Sequence, residues 1–435
     1  MSLNPAADFS AQRLELGLDA VDAIEVERLR RILGAKEPSA ALLNLPTESL
    51  LEKLGILVKD GDWRLTVAGL LLVGKEELLH RNLPGHEAVY LHMKSAVEYD
   101  YRLDTHQPLL ALLEGLHQTI APHNRLLTLK LGLFHFEIPD FPEEVYREAL
   151  LNAFTHRDYE LPGPVYIRHF PDRLEVSSPG GFCGGVTPEN IIGHEPVTRN
   201  QLLASVLQRI RLVERAGMGV KRMFHILLSY GKEPPSYEAA KEYVRVTIRS
   251  GRTEGGGATA PAGIDETFAR FVVKQQQEGK ELNLYDLLVL NYLKRHREID
   301  LPEAMRILQR SDNEVREALN SMTIRGLVEP FGQKKGRVYR LSKTVYTQLR
   351  KTVSYYLFRR AESAYAESTI IGYLEELPGP EDKRFITNEI VRTLLRVSPH
   401  QATYLLGNLV KKGKLALRGR GRGARYYKAR QLTVF

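Results

Sequence analysis

Glu144-Val-Tyr-Arg-Glu-Ala-Leu-Leu-Asn-Ala-Phe-Thr-His-Arg-Asp-Tyr159 carries apolar residues at helical spacing and ends in a cluster of polar ones. Glu148 and Asn152 are four apart, so they share one helix face. A carboxylate there can activate a water, and an amide oxygen can hold a magnesium ion. The same spacing also suits a solvated acid beside a capping or core amide. Pro142 precedes the run and marks its start.

Further along, Val165-Tyr-Ile-Arg-His-Phe170 and Arg173-Leu-Glu-Val-Ser177 alternate around Pro171-Asp172, which predicts a β-hairpin. The second strand runs into Ser178-Pro179-Gly180-Gly181. Glycines there either let backbone approach a ligand closely or make a tight turn. Gly217-x-Gly219 precedes Val220-Lys-Arg-Met223. That pattern fits a phosphate site at a helix N-terminus, or the stop of the preceding helix. His156-Arg-Asp158 invites comparison with a kinase catalytic loop. The comparison fails, because the chain has no Gly-rich loop with a following strand lysine and no Asp-Phe-Gly.

Working outward, helices are expected over Ala23–Leu33 and Thr47–Leu54, with Thr47 as N-cap, and a hairpin over Gly55–Leu65. Thr66 starts an apolar helix. Residues 86–100 alternate as a strand, Gln107–Ile120 is amphipathic, and Leu131–Ile138 is a strand. Helices follow at Leu202–Glu214 and Met218–Tyr230, and Tyr243–Arg249 is a closing strand. Residues 1–20 are weakly patterned, which fits partial disorder. Ser250–Gly263 is rich in Gly, Ala and Thr and reads as a flexible linker.

Beyond that linker one pattern occurs twice: three short helices, then two strands around a basic Gly-rich tip. The tips are Gly332-Gln-Lys-Lys-Gly336 and Gly419-Arg-Gly-Arg-Gly423. This is the order of a winged helix-turn-helix. Thr344–Tyr365 is expected to connect the copies. In the second copy, His400, Gln401, Thr403, Tyr404, Asn408 and Lys411 take the polar positions of the third helix, and Arg418, Arg420, Arg422 and Arg425 lie on the wing. The first copy offers Asn313, Arg316 and Asn320, with Lys334, Lys335 and Arg337 on its wing. It is more acidic, through Asp312, Glu314 and Glu317, and also suits dimerisation or packing.

The bulk numbers agree with this division. At 435 residues, several domains are expected. The net charge of +8 resides entirely in residues 368–435, with 13 Lys/Arg against 5 Asp/Glu, while the first 367 residues balance at 48 and 48. A basic end points to a polyanion partner, here double-stranded DNA, or else to a disordered solubilising tail. The single cysteine, Cys183, excludes an internal disulfide and a zinc cluster built from thiols. No signal peptide and no membrane span are expected, so a cytoplasmic location fits.

Glu148-Ala-Leu-Leu-Asn-Ala-Phe-Thr-His-Arg-Asp-Tyr159, Asp172-Arg-Leu-Glu-Val-Ser-Ser-Pro-Gly-Gly181, Val186-Thr-Pro-Glu-Asn190, Thr198-Arg-Asn200 and Leu212-Val-Glu-Arg-Ala-Gly-Met-Gly-Val-Lys-Arg-Met223 together resemble one bacterial family. It comprises transcriptional regulators labelled RecG-like ATP-binding proteins, and the likeness extends over residues 24–250. The resemblance implies a divergent ATPase fold of the GHKL type, shared with histidine kinases and gyrase B. It implies Glu148 as the water-activating acid, Asn152 as the magnesium ligand, and ATP with Mg²⁺ as cofactors. Gly180 and Gly181 would lie in the first glycine box, and Gly217 and Gly219 in the second, beside the phosphates. Ser178 stands where the GHKL pattern has the aspartate that reads the adenine amino group. Family members usually begin with a Schlafen-type AlbA domain, for which residues 1–23 are too few.

The expected class is therefore α/β, an α+β GHKL-like sandwich followed by tandem winged helix-turn-helix domains. The expected boundaries are an N-terminal extension over 1–23, a helical and hairpin subdomain over 24–130, and the ATP-binding domain over 131–250. After a linker over 251–264 come winged helices at 282–343 and 368–431, joined by a connecting helix over 344–367. Two chains would pair to read a two-fold DNA site. A magnesium-dependent ATPase and a protein-interaction scaffold are the rival functions.

Overall fold

A computed structural model describes residues 8–131, 134–213, 217–251, 264–331, 337–349, 366–380, 383–395, 397, 399–419 and 424–429. The expected linker, most of the connecting helix, Ser398, Lys334, Lys335, Arg420 and Arg422 lie outside the described residues. The chain divides into two compact units, Met1–Leu284 and Tyr285–Phe435.

The first unit opens with α1 (Ala23–Lys36), which buries Val26, Leu29 and Leu33 at helical spacing and is capped by the Asp22 side chain on Ile24 N–H. α2 (Thr47–Leu54) starts one residue earlier than expected, so Thr47 lies inside the helix and Pro46 precedes it. Gly55, at φ 79°, ends it. β1 (Leu57–Asp60) and β2 (Asp62–Leu65) form the expected hairpin. Thr66 caps α3 (Val67–Val73) by accepting from Gly69 N–H at 3.1 Å. α4 (Glu76–Asn82) follows.

The centre is a six-stranded mixed sheet. Its strands are β3 (Ala88–Met93), β4 (Tyr99–Thr105), β7 (Val165–His169), β8 (Arg173–Pro179), β9 (Ser236–Ala239) and β10 (Tyr243–Arg249). The spatial order is β4-β3-β7-β8-β10-β9, and only β3 and β7 run parallel. The sheet thus draws two strands from upstream of residue 131, where the sequence placed the start of the central domain. Between β3–β4 and β7 the chain makes α5 (Leu109–Ile120), a separate hairpin of β5 (Leu126–Leu131) and β6 (Phe134–Pro139), and α6 (Glu143–Thr155).

Alternation decides which sheet face is buried. Tyr90, Ile167, Leu174, Val176 and Ile248 point into one apolar core that also holds α1, α3, α5 and α6. α6 lies against β8 and against α8 (Met218–Ser229). α7 (Gln201–Arg209) ends five residues before the expected Glu214, and Arg211 takes a left-handed φ of 60° just beyond it. The N-terminal segment is tied down from Asp8. The Asp8 carboxylate and the buried Ser10 hydroxyl accept from the N–H groups of Leu202 and Leu203 at the start of α7. α9 (Glu266–Gln277), capped by Asp265, completes the unit.

The second unit contains one arrangement twice. α10 (Leu284–Arg295) leads to β11 (Ile299–Asp300), α11 (Leu301–Leu308), α12 (Asp312–Ile324), β12 (Val328–Phe331) and β13 (Val338–Leu341), with sheet order β11-β13-β12. α13 (Lys343–Gln348) follows. Then α14 (366–376) leads to a bridge at Ile386, α15 (Asn388–Leu395), α16 (Pro399–Lys411), β14 (Leu415–Arg418) and β15 (Arg425–Lys428). Ile386 follows Ile299 by 87 residues, and Pro399, Leu415 and Arg425 follow Asp312, Val328 and Val338 by the same 87. Ile299 pairs with Tyr339 as Ile386 pairs with Tyr426. Each copy has its own apolar centre, with Leu287, Val315, Leu319 and Met322 in the first and Ile370, Ala402, Leu406 and Leu409 in the second.

Candidate functional site

α6 buries Val145, Ala149 and Leu150 and turns Glu148 and Asn152 to a neighbouring face. Asn152 Nδ2 donates to Glu148 Oε1 at 2.9 Å. The amide oxygen of Asn152 is thereby directed away from that contact and keeps its lone pairs for another partner. The Glu148 carboxylate lies directly on the first turn of α8. A Cβ built on Gly219 would stand 1.8 Å from Glu148 Oε1 and 2.2 Å from its Cδ. Only a glycine fits beneath the carboxylate as it stands. Gly217, at φ 63°, opens α8 rather than closing α7, which already ended at Arg209. The first turn of α8 has no acid of its own. Glu148 therefore brings negative charge from α6 to a helix N-terminus, where the backbone dipole favours it.

β8 supplies the opposite wall. Ser178 is buried, and its hydroxyl donates to Ala153 C=O on α6 at 2.6 Å. Gly180 has φ 96°, and a Cβ there would meet Asp158 Cβ at 2.6 Å. A Cβ on Gly181 would meet Ala240 C=O at 2.5 Å. Both N–H groups are already used, Gly180 donating to Glu242 C=O and Gly181 to Lys241 C=O. These two glycines thus offer a ligand close approach, while their N–H groups are spent on the β9–β10 turn.

Arg199 binds three of the sequence motifs together. It donates to His156 C=O at 3.2 Å, to Asp158 Oδ2 at 3.0 Å and to Gly181 C=O at 2.8 Å. Asn200 Nδ2 donates to the carbonyls of Thr155 and Arg157. Arg157 is fully buried and donates to Asp158, Leu161 and Gly163 carbonyls. The polar cluster after α6 is thus a structural knot.

Glu148, Asn152, Ser178, Gly180, Gly181, Gly217 and Gly219 all line one cavity of about 210 Å³. The sequence reading missed several other wall residues. The loop from Phe182 to Thr198 contributes Cys183, His194 and Val197, and β9 contributes Tyr237. Thr155 also lines the cavity, 3 % exposed, and its hydroxyl has no hydrogen-bond partner among the described residues. His156 lines it too. Burial, and then the charge of Arg199, pushes its pKa down to about 4, so the ring is neutral at pH 7. Burial, then the charge of Glu148, raises the Tyr237 phenol.

Two of these side chains offer oxygens that could hold the magnesium ion of a nucleotide. Mg²⁺ is held by one or two protein oxygens together with phosphates and waters, and the Asn152 amide oxygen and the Glu148 carboxylate are one turn apart. No group of three His, Cys, Asp or Glu suited to a metal occurs among the described residues. The walls add Ala149, Val176 and Val246, an apolar lining suited to a flat base.

In the second unit α16 carries His400, Gln401, Thr403, Tyr404, Asn408 and Lys411. Tyr404 is 69 % exposed, and Lys411 is also exposed. Thr403 is engaged within its own copy, donating to Pro399 C=O and accepting from Asn388 Nδ2. Arg418 lies over Tyr427 and Arg425 over Phe385 at 4.8 and 4.3 Å. In the first copy Asn313, Arg316, Asn320 and Arg337 are exposed. Arg316 pairs with Asp312 one turn earlier, which leaves that helix face closer to neutral. Among the described residues, no helix is long and apolar enough to cross a membrane.

Residues 163–248 match a family model described as "Putative ATP-dependent DNA helicase recG C-terminal". Residues 5–88 match a second model, described as a domain of unknown function, DUF8451. The first match spans β7 to β10, and α6 with Glu148 and Asn152 lies just upstream of it. No curated protein sequence matches the chain. Among solved structures, the DIP2311 protein from Corynebacterium diphtheriae is 23 % identical with a TM-score of 0.64, covering 80 % of this chain. This chain spans 66 % of that protein, just under two thirds of its length. At that identity the likeness concerns the fold. The chain is thus a mixed α/β multidomain protein whose residues 163–248 resemble an ATPase-like domain.

Proposed function

We propose that the chain is a nucleotide-responsive, DNA-binding transcriptional regulator that acts in the cytoplasm as a homodimer. Its first unit binds ATP with Mg²⁺, and the repeated modules of its second unit are winged helices that bind duplex DNA. The observation that carries the nucleotide half is the convergence of the α6 pair, the β8 turn and the α8 start on one cavity in the ATPase-like domain.

Each side chain has a defined part. Asn152 presents its amide oxygen to the metal while its N–H groups orient Glu148. Ser178 has spent its only donor on Ala153 C=O. It therefore faces the cavity as an acceptor, the same polarity as a carboxylate that takes a hydrogen from an adenine amino group. Bound nucleotide and metal would supply an electrophilic phosphorus and charge neutralisation. The start of α8 suits the phosphates, and Glu148 there is placed to accept a proton from water.

The DNA half is supported by the acid-free run from Leu409 to Phe435, which has nine Lys/Arg, and by Tyr404 at the surface of the third helix. Titration with a fluorescent ATP analogue and Mg²⁺ should give saturable binding that Asn152→Ala weakens at least tenfold. Duplex binding should be tight at low salt and change when ATP is added. Absence of both would overturn the proposal. A turning-over ATPase is the second reading, favoured by the Asn152–Glu148 hydrogen bond. Magnesium-dependent phosphate release that disappears in Glu148→Ala would establish it. Duplex binding absent even at low salt would instead favour an interaction scaffold.

A further inference from the structure

A second cavity, of about 400 Å³, lies between α1, α5 and α6, apart from the first. Its size falls in the roughly 300–1,000 Å³ range of small-molecule sites. The floor is apolar, from Leu110, Leu113, Leu150 and Leu151. Its polar groups are mostly engaged. Glu114 is held by Arg28 and Arg31, and His117 Nδ1 pairs with the Tyr146 hydroxyl at 2.7 Å. Arg147 differs. Glu143 stands one turn earlier on the same helix, yet Arg147 does not pair with it. Among the described residues its guanidinium reaches only the Leu212 carbonyl, at 3.3 Å. Among the described residues it has no carboxylate partner.

The two cavities share two walls. On α6, Arg147, Leu150 and Leu151 face the second cavity while Glu148, Ala149 and Asn152 face the first. On the segment before α8, Leu212 faces the second and Val213 the first. A half-buried cation beside an apolar floor is matched by a small amphipathic anion, whose carboxylate takes the free N–H groups of the guanidinium.

We propose that this second cavity is an effector site for a small carboxylate bearing an apolar chain. Its occupation draws Arg147 from Leu212, shifts the walls that the two cavities share on α6 and at Leu212–Val213, and weakens nucleotide binding in the first cavity. The coupling rests on the nucleotide reading, whereas binding in the second cavity does not.

Isothermal titration of the full chain with octanoate tests it, with 1-octanol as the uncharged control. One octanoate should bind per chain, and octanol should bind at least tenfold more weakly. Arg147→Gln should cost octanoate affinity at least tenfold and leave octanol binding and the unfolding midpoint unchanged. Leu113→Trp, which fills the cavity, should abolish binding of both. Octanoate should then weaken the fluorescent ATP analogue by about fivefold or more, the usual scale of coupling between sites, and this effect should vanish in Arg147→Gln. Equal octanoate affinity in wild type and Arg147→Gln, or equal affinity for octanoate and octanol, overturns the site. Octanoate binding that follows these variants with no effect on bound nucleotide overturns the coupling. A chain that takes octanoate but no nucleotide at all keeps the site and refutes the nucleotide reading.

Discussion

Replacing Gly219 by Ala tests the contact between α6 and α8 that assembles the candidate site. The Cβ would lie 1.8 Å from Glu148 Oε1. To reach the 3.4 Å edge of ordinary contact, the oxygen must move about 1.6 Å. The Asn152–Glu148 hydrogen bond at 2.9 Å does not survive such a shift unless both side chains relocate. Loss of a hydrogen bond to a charged group costs about 1.5–3 kcal/mol. Ala over Gly in a helix returns up to about 1 kcal/mol. The net expectation is destabilisation by roughly 1 kcal/mol. In a Glu148→Ala background the obstacle is gone, so the same replacement should stabilise by up to about 1 kcal/mol. The sign thus reverses, with a coupling of about 2 kcal/mol between the two positions. Urea unfolding followed by the fluorescence of Trp63, the chain's single tryptophan, reports on the first unit. An equal effect of Gly219→Ala in both backgrounds would refute the contact.

Three further outcomes follow from the geometry. Gly181→Ala should destabilise the first unit by about 1–3 kcal/mol, because its Cβ meets the backbone carbonyl of Ala240 at 2.5 Å, an atom that cannot swing aside; unchanged urea unfolding would contradict this. Burial depresses His86 and His156 to about 4 and His169 to about 3, so their stabilisation is complete above the unfolded value near 6.5 and is lost as pH falls through the folded values. His86 and His156 can each withdraw up to about 3 kcal/mol and His169 up to about 5 kcal/mol, and equal urea stability at pH 7.5 and 4.5 would exclude neutral buried rings. Arg420→Ala with Arg422→Ala should weaken duplex binding and lower the slope of log affinity against log salt by about 1 for each lost phosphate contact; an unchanged slope would remove the wing from the DNA interface.

The parts legible in the sequence were those fixed by local repetition. The α6 run, the β7–β8 hairpin and the duplicated second unit all announce themselves through period or turn residues. The missed parts depend on distant partners. β4 is exposed at most of its positions, so its side chains carry no burial alternation to read. The start of α7 is capped from Asp8 and Ser10, which no local pattern could disclose. The site divides the same way. Spacing placed Glu148 and Asn152 on one face, but not the Glu148 carboxylate on Gly219, 71 residues later in the chain. Nor could it show that Gly180 and Gly181 spend their N–H groups on the turn between β9 and β10. Thr155 reads as one more helix residue until the fold buries its hydroxyl in a cavity wall.

The constant 87-residue offset makes the two halves of the second unit parts cut to one template. Val315, Leu319 and Met322 of α12 correspond to Ala402, Leu406 and Leu409 of α16, and all six are buried. The interior has kept its apolar character while the outside has diverged. Where α12 carries Glu314 and Glu317, α16 carries Gln401 and Tyr404. Buried changes such as Val315 against Ala402 stay apolar, whereas outside positions change charge, so the surface can vary without endangering the folding of either copy. The second copy thus presents the more basic outside, and the first a surface of mixed charge.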